Sequence, residues 1–460
     1  MSETGRRVLL AYYGDDFTGS TDAMEVTALA GLRTVLFTRV PDAATLARFS
    51  GYDVYGIAGT SRAQSPEWMD AHLPAAFEAL VRLDPRLVQY KVCSTFDSSP
   101  TTGSIGRAID LGVGVVGGAW SPSIVGAPQL GRWQAFGNLF AAAGPKNYRI
   151  DRHPTMSRHP VTPMNEGDLR RHLAGQTDRP IDGVDFVALD GFDPARIEGP
   201  APVVFLDVLD PASQARAGEI VWEAPDARLF SASSSGLQYA LVAHWRQTGR
   251  LPATPPVLPE AAPVARLLVL SGSCSPITAD QIAHAEDAGF AAIRLDVRAA
   301  ATPARAEAER ARIGEAVAAA FQTARGVIVY AARSVDDPAY AALQAMCAET
   351  GLPFAEAQDA LGRFLGALAR EAVPRFGLER LVVAGGDTSG RIVESLPIDA
   401  LEVAHPLVRG APLCRCHSAS EAYDGLQVAL KGGQMGSADV FVKALGGAAA
   451  PAAALSAAGS

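Results

Sequence analysis

The sequence predicts an α/β protein of two domains, each with a mostly parallel sheet flanked by helices, and an active-site cleft between them. Three observations carry this expectation. Short apolar runs alternate with helix-length segments, the order expected of βαβ units. Residues 249–263 hold Pro252, Pro255, Pro256, Pro259 and Pro263, which allow neither a helix nor a central strand, so this stretch reads as a stiff connector. A chain of 460 residues also exceeds what one core usually supports. The expected domains are 1–248 and 264–447, joined by the linker 249–263, with a flexible Ala/Gly/Ser/Pro-rich tail at 448–460.

The elements follow in order. Residues 8–12 are an apolar run closed by Gly14, the pattern of a buried first strand, and 23–30 are helix-permissive up to a stop at Gly31. Further strands are expected in the first half at 35–38, 54–58, 87–91, 186–189 and 203–207. The second half alternates more cleanly. Strands at 267–270, 291–296, 327–330 and 381–384 are separated by helices at 278–288 and 305–321 and by a helical stretch ending near 373.

Composition narrows the function. Apolar content of 48% with 19% charged residues describes an ordinary globular protein. A net charge of −9 without a basic block argues against nucleic acid and anionic membranes as partners. Residues 1–7 are polar, and no stretch approaches the roughly 18 apolar residues of a membrane span. Five cysteines point to a reducing compartment, and the expected location is cytoplasmic. Cys414, Cys416 and His417 lack the second ligand pair that a zinc site needs, so they read as a strand, and no metal-ligating residue is assigned.

The first chemical signal is Asp15-Asp16 on the loop after the first strand, at the sheet edge where open α/β folds bind ligands. Few structural roles need two adjacent acids followed by Thr18, Ser20 and Thr21; catalysis on a polyhydroxy substrate is one that does. Other strand-end loops of this half carry Arg62, Lys91 with Ser94, and the proline-bracketed Arg158-His159, cations and hydroxyls that suit a small polyhydroxy acid. In the second half Leu381–Ala384 runs into Gly385-Gly386-Asp387-Thr388-Ser389, a glycine turn into a helix whose N-terminus favours an anion and which Thr388 and Ser389 can cap. A tight turn with an ordinary cap has the same sequence. Ser271-Gly272-Ser273 and Gly432-Gly433 share the layout, and three such loops make a phosphate pocket the better reading. The stretch 112–117 matches a dinucleotide fingerprint letter for letter, but it follows helix-like residues and has no Asp or Glu between Leu111 and Ile150 to hold a ribose.

Together these segments resemble the four-carbon acid sugar kinase family over nearly the whole chain. The resemblance rests on residues 15–22, 91–98, 158–164, 271–275, 384–390 and 430–433. It implies an N-terminal domain that holds a sugar acid on Asp15, Asp16, Arg62, Lys91, Ser94 and Arg158. It also implies a C-terminal domain that holds ATP on Ser271, Gly385, Gly386, Asp387, Thr388, Ser389 and Gly433, with Mg²⁺ bridging the phosphates. Gly14 stands where the family often has Ala, and Asp387 where it often has Glu. Residues 133–135 and 151–155 look unlike straight-chain tetronate kinases, so a branched 3-oxo acid such as 3-oxo-isoapionate stands beside a tetronate as substrate. Asp16 is the expected base, with Asp15 raising its neighbour's pKa, and the pair can divide the work the other way round. The alternatives are an NAD-dependent dehydrogenase and a non-catalytic sugar-acid sensor; a homodimer is left open.

Overall fold

The computed structural model describes residues 7–159 and 161–446, apart from the side chain of Asp387. The tail expected at 448–460 lies outside the described residues. The backbone forms two compact units that divide between Val257 and Leu258.

In the N-terminal unit five parallel strands form the main sheet: β1 (Leu10–Gly14), β2 (Thr34–Phe37), β3 (Val54–Ala58), β4 (Leu87–Lys91) and β5 (Leu229–Ser233). Their order is β5-β4-β1-β3-β2. All of their residues are buried, which is why they read as nearly continuous apolar runs rather than alternating ones. Gly14 lies level with Ala58 and Lys91, and Lys91 with Ser233, so four strands end at one height on one edge.

Two boundaries differ from expectation, each for a local reason. The helix expected at 23–30 begins at Phe17, because Asp16 caps it by accepting from the Gly19 N–H at 2.5 Å. The strand expected at 186–189 is instead Ile181–Val184. Asp185 accepts from the N–H groups of Val187 and Ala188, both at 3.0 Å, and curls the chain into a turn where the strand was expected. The sequence reading also overlooked a small antiparallel sheet of Arg132–Ala135, Asn138–Ala143 and Lys146–Arg149. Its first turn, Phe136-Gly137, has positive φ at both residues (51° and 76°), as a two-residue hairpin requires.

The C-terminal unit contains β6 (Leu267–Ser271), β7 (Ala291–Arg294), β8 (Gly326–Tyr330), β9 (Arg380–Ala384), β10 (Ala400–Val408), β11 (Ala411–His417) and β12 (Gln427–Lys431). Their order is β10-β11-β12-β9-β6-β8-β7. The five from β12 to β7 are parallel, and β10 and β11 add antiparallel strands beside β12. Cys414 and Cys416 are buried on β11. Residues 249–263 hold no helix or strand. Among the described residues no helix is long and apolar enough to cross a membrane.

The fingerprint-like stretch 112–117 lies in the helix Ile105–Val116 and its C-cap Gly117, with no strand leading into it. Its first glycine serves packing: a Cβ on Gly112 would lie 2.1 Å from the ring of Phe230, itself fully buried. Gly112→Ala should therefore lower stability by about 1–3 kcal/mol. The measurement is the denaturant midpoint, and an unchanged midpoint would show that the ring has room to move.

Candidate active site

Because the N-terminal strands run parallel, the residues that follow them gather at one edge. Backbone bonds stitch that edge together: Asp15 N–H to Lys91 O at 2.9 Å, Arg62 N–H to Asp15 O at 3.1 Å, and Val92 N–H to Ser233 O at 2.9 Å. Arg62 lies at its centre. Its Nη1 donates to Asp16 Oδ2 at 2.7 Å and its Nη2 to Asp97 Oδ1 at 2.8 Å. Asp97 also accepts from the hydroxyls of Thr95 (2.5 Å) and Thr162 (3.1 Å). Burial pushes the Asp97 carboxyl up, but Arg62, the Thr95 hydroxyl and nearby His159 outweigh it and bring its pKa down to about 2. Phe96, a non-glycine with φ of +56°, turns the chain just before this carboxylate and is held by the rings of Phe205 and His172.

The two adjacent acids have different surroundings. Asp16 is occupied by its helix cap and by Arg62. Asp15 is buried, and its Oδ1 has no hydrogen-bond partner among the described residues. Burial, then the charge of Asp16, raise its carboxyl to about 7 against the pull of Arg62 and Lys91. Lys91 is 2% exposed, and its ammonium donates to Val92 O at 2.9 Å. Lys91 Nζ and Asp16 Oδ1 both border Gly19, at 2.9 and 2.6 Å from where a Cβ would stand. Asp22, on the same helix as Gly19, is a further buried acid; burial raises its pKa against Lys91 and the Ser235 hydroxyl.

Asp15, Asp16, Arg62 and Lys91 thus meet at one edge, with Ser94 half-buried on the loop after β4. Arg158 is exposed at the end of the turn Met156–Arg158. The part of that loop tied to the edge is His159, whose Nδ1 accepts from the Thr162 N–H at 3.1 Å while Thr162 bonds Asp97. Asp97 lies in the segment 91–98, where the sequence assigns it no role. A lone acid among Ser and Thr was the available signal, and only the fold shows its partner.

The C-terminal unit repeats the principle. Ser271, Ala384 and Lys431 lie side by side at the ends of β6, β9 and β12. Gly272 N–H bonds Ala384 O at 3.1 Å, and Gly385 N–H bonds Lys431 O at 2.9 Å. The three small-residue loops touch: a Cβ on Gly272 would lie 2.2 Å from Thr388 Oγ1, and one on Gly433 2.5 Å from Ser273 Oγ. Gly385, with φ of +127°, makes the turn into the helix Gly386–Ser395, which no side chain caps among the described residues. Thr388 and Ser389 do not cap it because the helix has already begun; Ser389 Oγ instead donates back to Gly385 O at 2.7 Å. The side chain of Asp387 lies outside the described residues.

Two features there are suited to an anion. The hydroxyls of Ser271 and Ser275 are buried without a partner among the described residues. Lys431 is 1% exposed and donates to Thr278 Oγ1 at 3.2 Å and Gly432 O at 3.0 Å, with no carboxylate paired to it among the described residues. Burial pulls its pKa down to about 8. Unspent hydroxyls, free first-turn N–H groups and an unneutralised ammonium at one edge are what a phosphate requires. Lys431 lies in the segment 430–433, where the sequence likewise assigns it no role.

Comparisons with known proteins agree with this division. Residues 10–241 match the family model described as a sugar-binding N-terminal domain, and residues 268–441 match the nucleotide-binding C-terminal domain. A 3-oxo-isoapionate kinase of Paraburkholderia graminis is 52% identical over 94% of this chain and 93% of that protein. A 3-oxo-tetronate kinase of Methylobacterium radiotolerans is 31% identical over 95% of this chain and 98% of that protein. A crystal structure from Salmonella typhimurium LT2, 25% identical, matches with a TM-score of 0.74 over 95% of this chain and 98% of that one.

The Arg62–Asp97 pair makes a pH prediction. With its folded pKa near 2, below the unfolded 3.8, Asp97 contributes stability that is present above about pH 4 and lost as pH falls through 2. That contribution is about 2 kcal/mol. Denaturant titrations from pH 5 to pH 2 should show it in the wild type and not in Asp97→Asn; parallel acid limbs would contradict it.

Proposed function

We propose a division of catalytic labour for this chain, which belongs to the four-carbon acid sugar kinase family and is a sugar-acid kinase. The N-terminal strand ends, with Asp15, Lys91, Ser94 and Arg158, receive the acid, and the loops around Ser271, Gly385–Ser389, Lys431 and Gly433 receive ATP. A branched 3-oxo acid of the isoapionate type is the preferred acceptor, supported by the 52% identity to the kinase of that name against 31% to a tetronate kinase. No disulfide joins the five cysteines among the described residues, which supports a cytoplasmic location.

The observation that carries the mechanism is Asp15. A general base works best with a pKa near the working pH, and Asp15 has a carboxyl raised to about 7 with one oxygen unbonded. Asp16 cannot offer the same, because Arg62 and the Gly19 N–H occupy its oxygens. We therefore exchange the roles expected of the pair. Asp15 takes the proton of the acceptor hydroxyl as that oxygen bonds to the γ-phosphorus, and the bond to the leaving ADP oxygen breaks. Asp16 and Asp97 hold Arg62, which steadies the loop.

ATP supplies the phosphoryl group and Mg²⁺ supplies charge neutralisation. The orphaned Ser271 and Ser275 hydroxyls and Lys431 fit the phosphates. Mg²⁺ would enter with the nucleotide, as a cation that takes only one or two carboxylates beside the phosphates. No observation favours the dehydrogenase or the sensor.

The test is ADP release with Mg-ATP and a panel of 3-oxo-isoapionate, 3-oxo-tetronate and tetronates. Release should require an acid and be fastest with the branched one. kcat/KM should fall as pH drops below about 7, where Asp15 becomes protonated. Asp15→Asn should lower kcat by at least about 10²-fold, and Asp16→Asn by less. A dead Asp16→Asn beside an active Asp15→Asn would return the base to Asp16.

For the nucleotide, Lys431→Met should weaken ADP binding roughly 10- to 100-fold by calorimetry, and Gly386→Val should abolish it in a folded protein. Intact binding in both variants would place ATP elsewhere.

A further inference from the structure

The small antiparallel sheet carries a cation with no counter-charge among the described residues. Arg132 opens its first strand, and the guanidinium is anchored on one side only: Nη1 donates to Leu130 O at 3.2 Å and Gly131 O at 3.0 Å. Its Nε is buried and unbonded, and neither Nε nor Nη2 has a partner among the described residues. The Nε–Nη2 edge of a guanidinium is a planar fork that grips a carboxylate through two parallel bonds. No carboxylate pairs with it among the described residues.

The backbone brings this residue to the catalytic edge. Arg132 O accepts from the Ala127 N–H at 2.9 Å, and the loop that leads to Ala127 is tied to the end of β5 by Ser234 N–H to Ile124 O at 3.1 Å. Ser234 Oγ also donates to Val125 O at 2.8 Å. The end of β5 in turn accepts from Val92, next to Lys91. Cys93 follows on that chain, and its Sγ accepts from the Thr95 hydroxyl that also bonds Asp97. Cys93 is within electrostatic reach of both Arg62 and Arg132.

The other cations near the edge are less suited to a carboxylate. Arg62 already holds two, Lys91 is buried beside Asp15 and Asp22, and Arg158 is exposed.

We propose that the Nε–Nη2 edge of Arg132 binds the carboxylate of the sugar acid and thereby selects acids over neutral polyols. This rests on the sugar-acid kinase reading, and it names the group that reads the substrate's charge. Arg132 acts on binding and orientation, while the proton transfer belongs to Asp15.

The experiment is steady-state kinetics at saturating Mg-ATP, with 3-oxo-isoapionate and its carboxamide as acceptors, for wild type, Arg132→Ala and Arg132→Lys. Arg132→Ala should raise KM for the acid roughly 10- to 100-fold. KM for ATP should not move, and the preference for acid over amide should collapse. Arg132→Lys keeps the charge without the fork, so it should recover part of the preference; it also serves as the readout if Arg132→Ala does not fold. An unchanged acid KM and preference in a folded Arg132→Ala, or in Arg132→Lys if the alanine variant does not fold, would overturn the proposal while leaving the kinase reading standing. A wild type that turns over the amide as well as the acid would also overturn the proposal. A wild type that phosphorylates no acid would overturn the kinase reading first, and the proposal with it.

Discussion

Arg62 spans two carboxylates that arrive on different strands, Asp16 after β1 and Asp97 after β4. Breaking one partner of such a pair where solvent is scarce typically costs about 3–5 kcal/mol, because the remaining charge is left without compensation. The clamp therefore fixes two loops against each other, and it also sorts the acids. Asp16 and Asp97 are committed to it. Asp15, one residue from Asp16 and facing the same cations, is left with an unbonded oxygen and a pKa near 7. Identical side chains have different electrostatic surroundings because one is paired and the other is only buried.

The C-terminal unit handles charge differently. Among the described residues its edge concentrates two buried hydroxyls without a partner, the start of a helix that no side chain caps, and Lys431, an ammonium with no carboxylate paired to it. A buried ammonium without a carboxylate is unfavourable by itself, as its lowered pKa records. A phosphate would relieve that cost, so at the proposed nucleotide site the strain of the free protein would become affinity. The glycines at 272 and 433 are part of the same arrangement, since side chains there would hold the three loops apart.

Local sequence foretold elements wherever the local signal and the tertiary context agree. The buried parallel strands are continuous apolar runs, and β3 and β4 lie at the residues expected. The strand misplaced to 186–189 failed where an Asx turn at Asp185 competed with an apolar stretch of equal appeal. The hairpins around Phe136 were missed because their short strands carry no clear alternation and the turn's left-handed Phe is not a usual hairpin signal. That omission mattered, since Arg132 lies there.

By itself the sequence determined which residues stand at strand ends, and hence that Asp15, Asp16, Arg62 and Lys91 would gather at the edge of one sheet and the glycine loops at the edge of the other. That follows from a physical regularity: parallel strands connected by helices all finish at the same edge, so strand-end residues distant in sequence must gather. The tertiary structure alone decided what each of them does there. Whether a carboxylate is paired with Arg62 or left unbonded, whether a hydroxyl caps a helix or bonds back to it, and whether a lysine finds a counter-charge depend on distances of a few ångströms between segments far apart in the chain. Those distances set the desolvation and Coulomb balance of each group, which no residue carries in its own name.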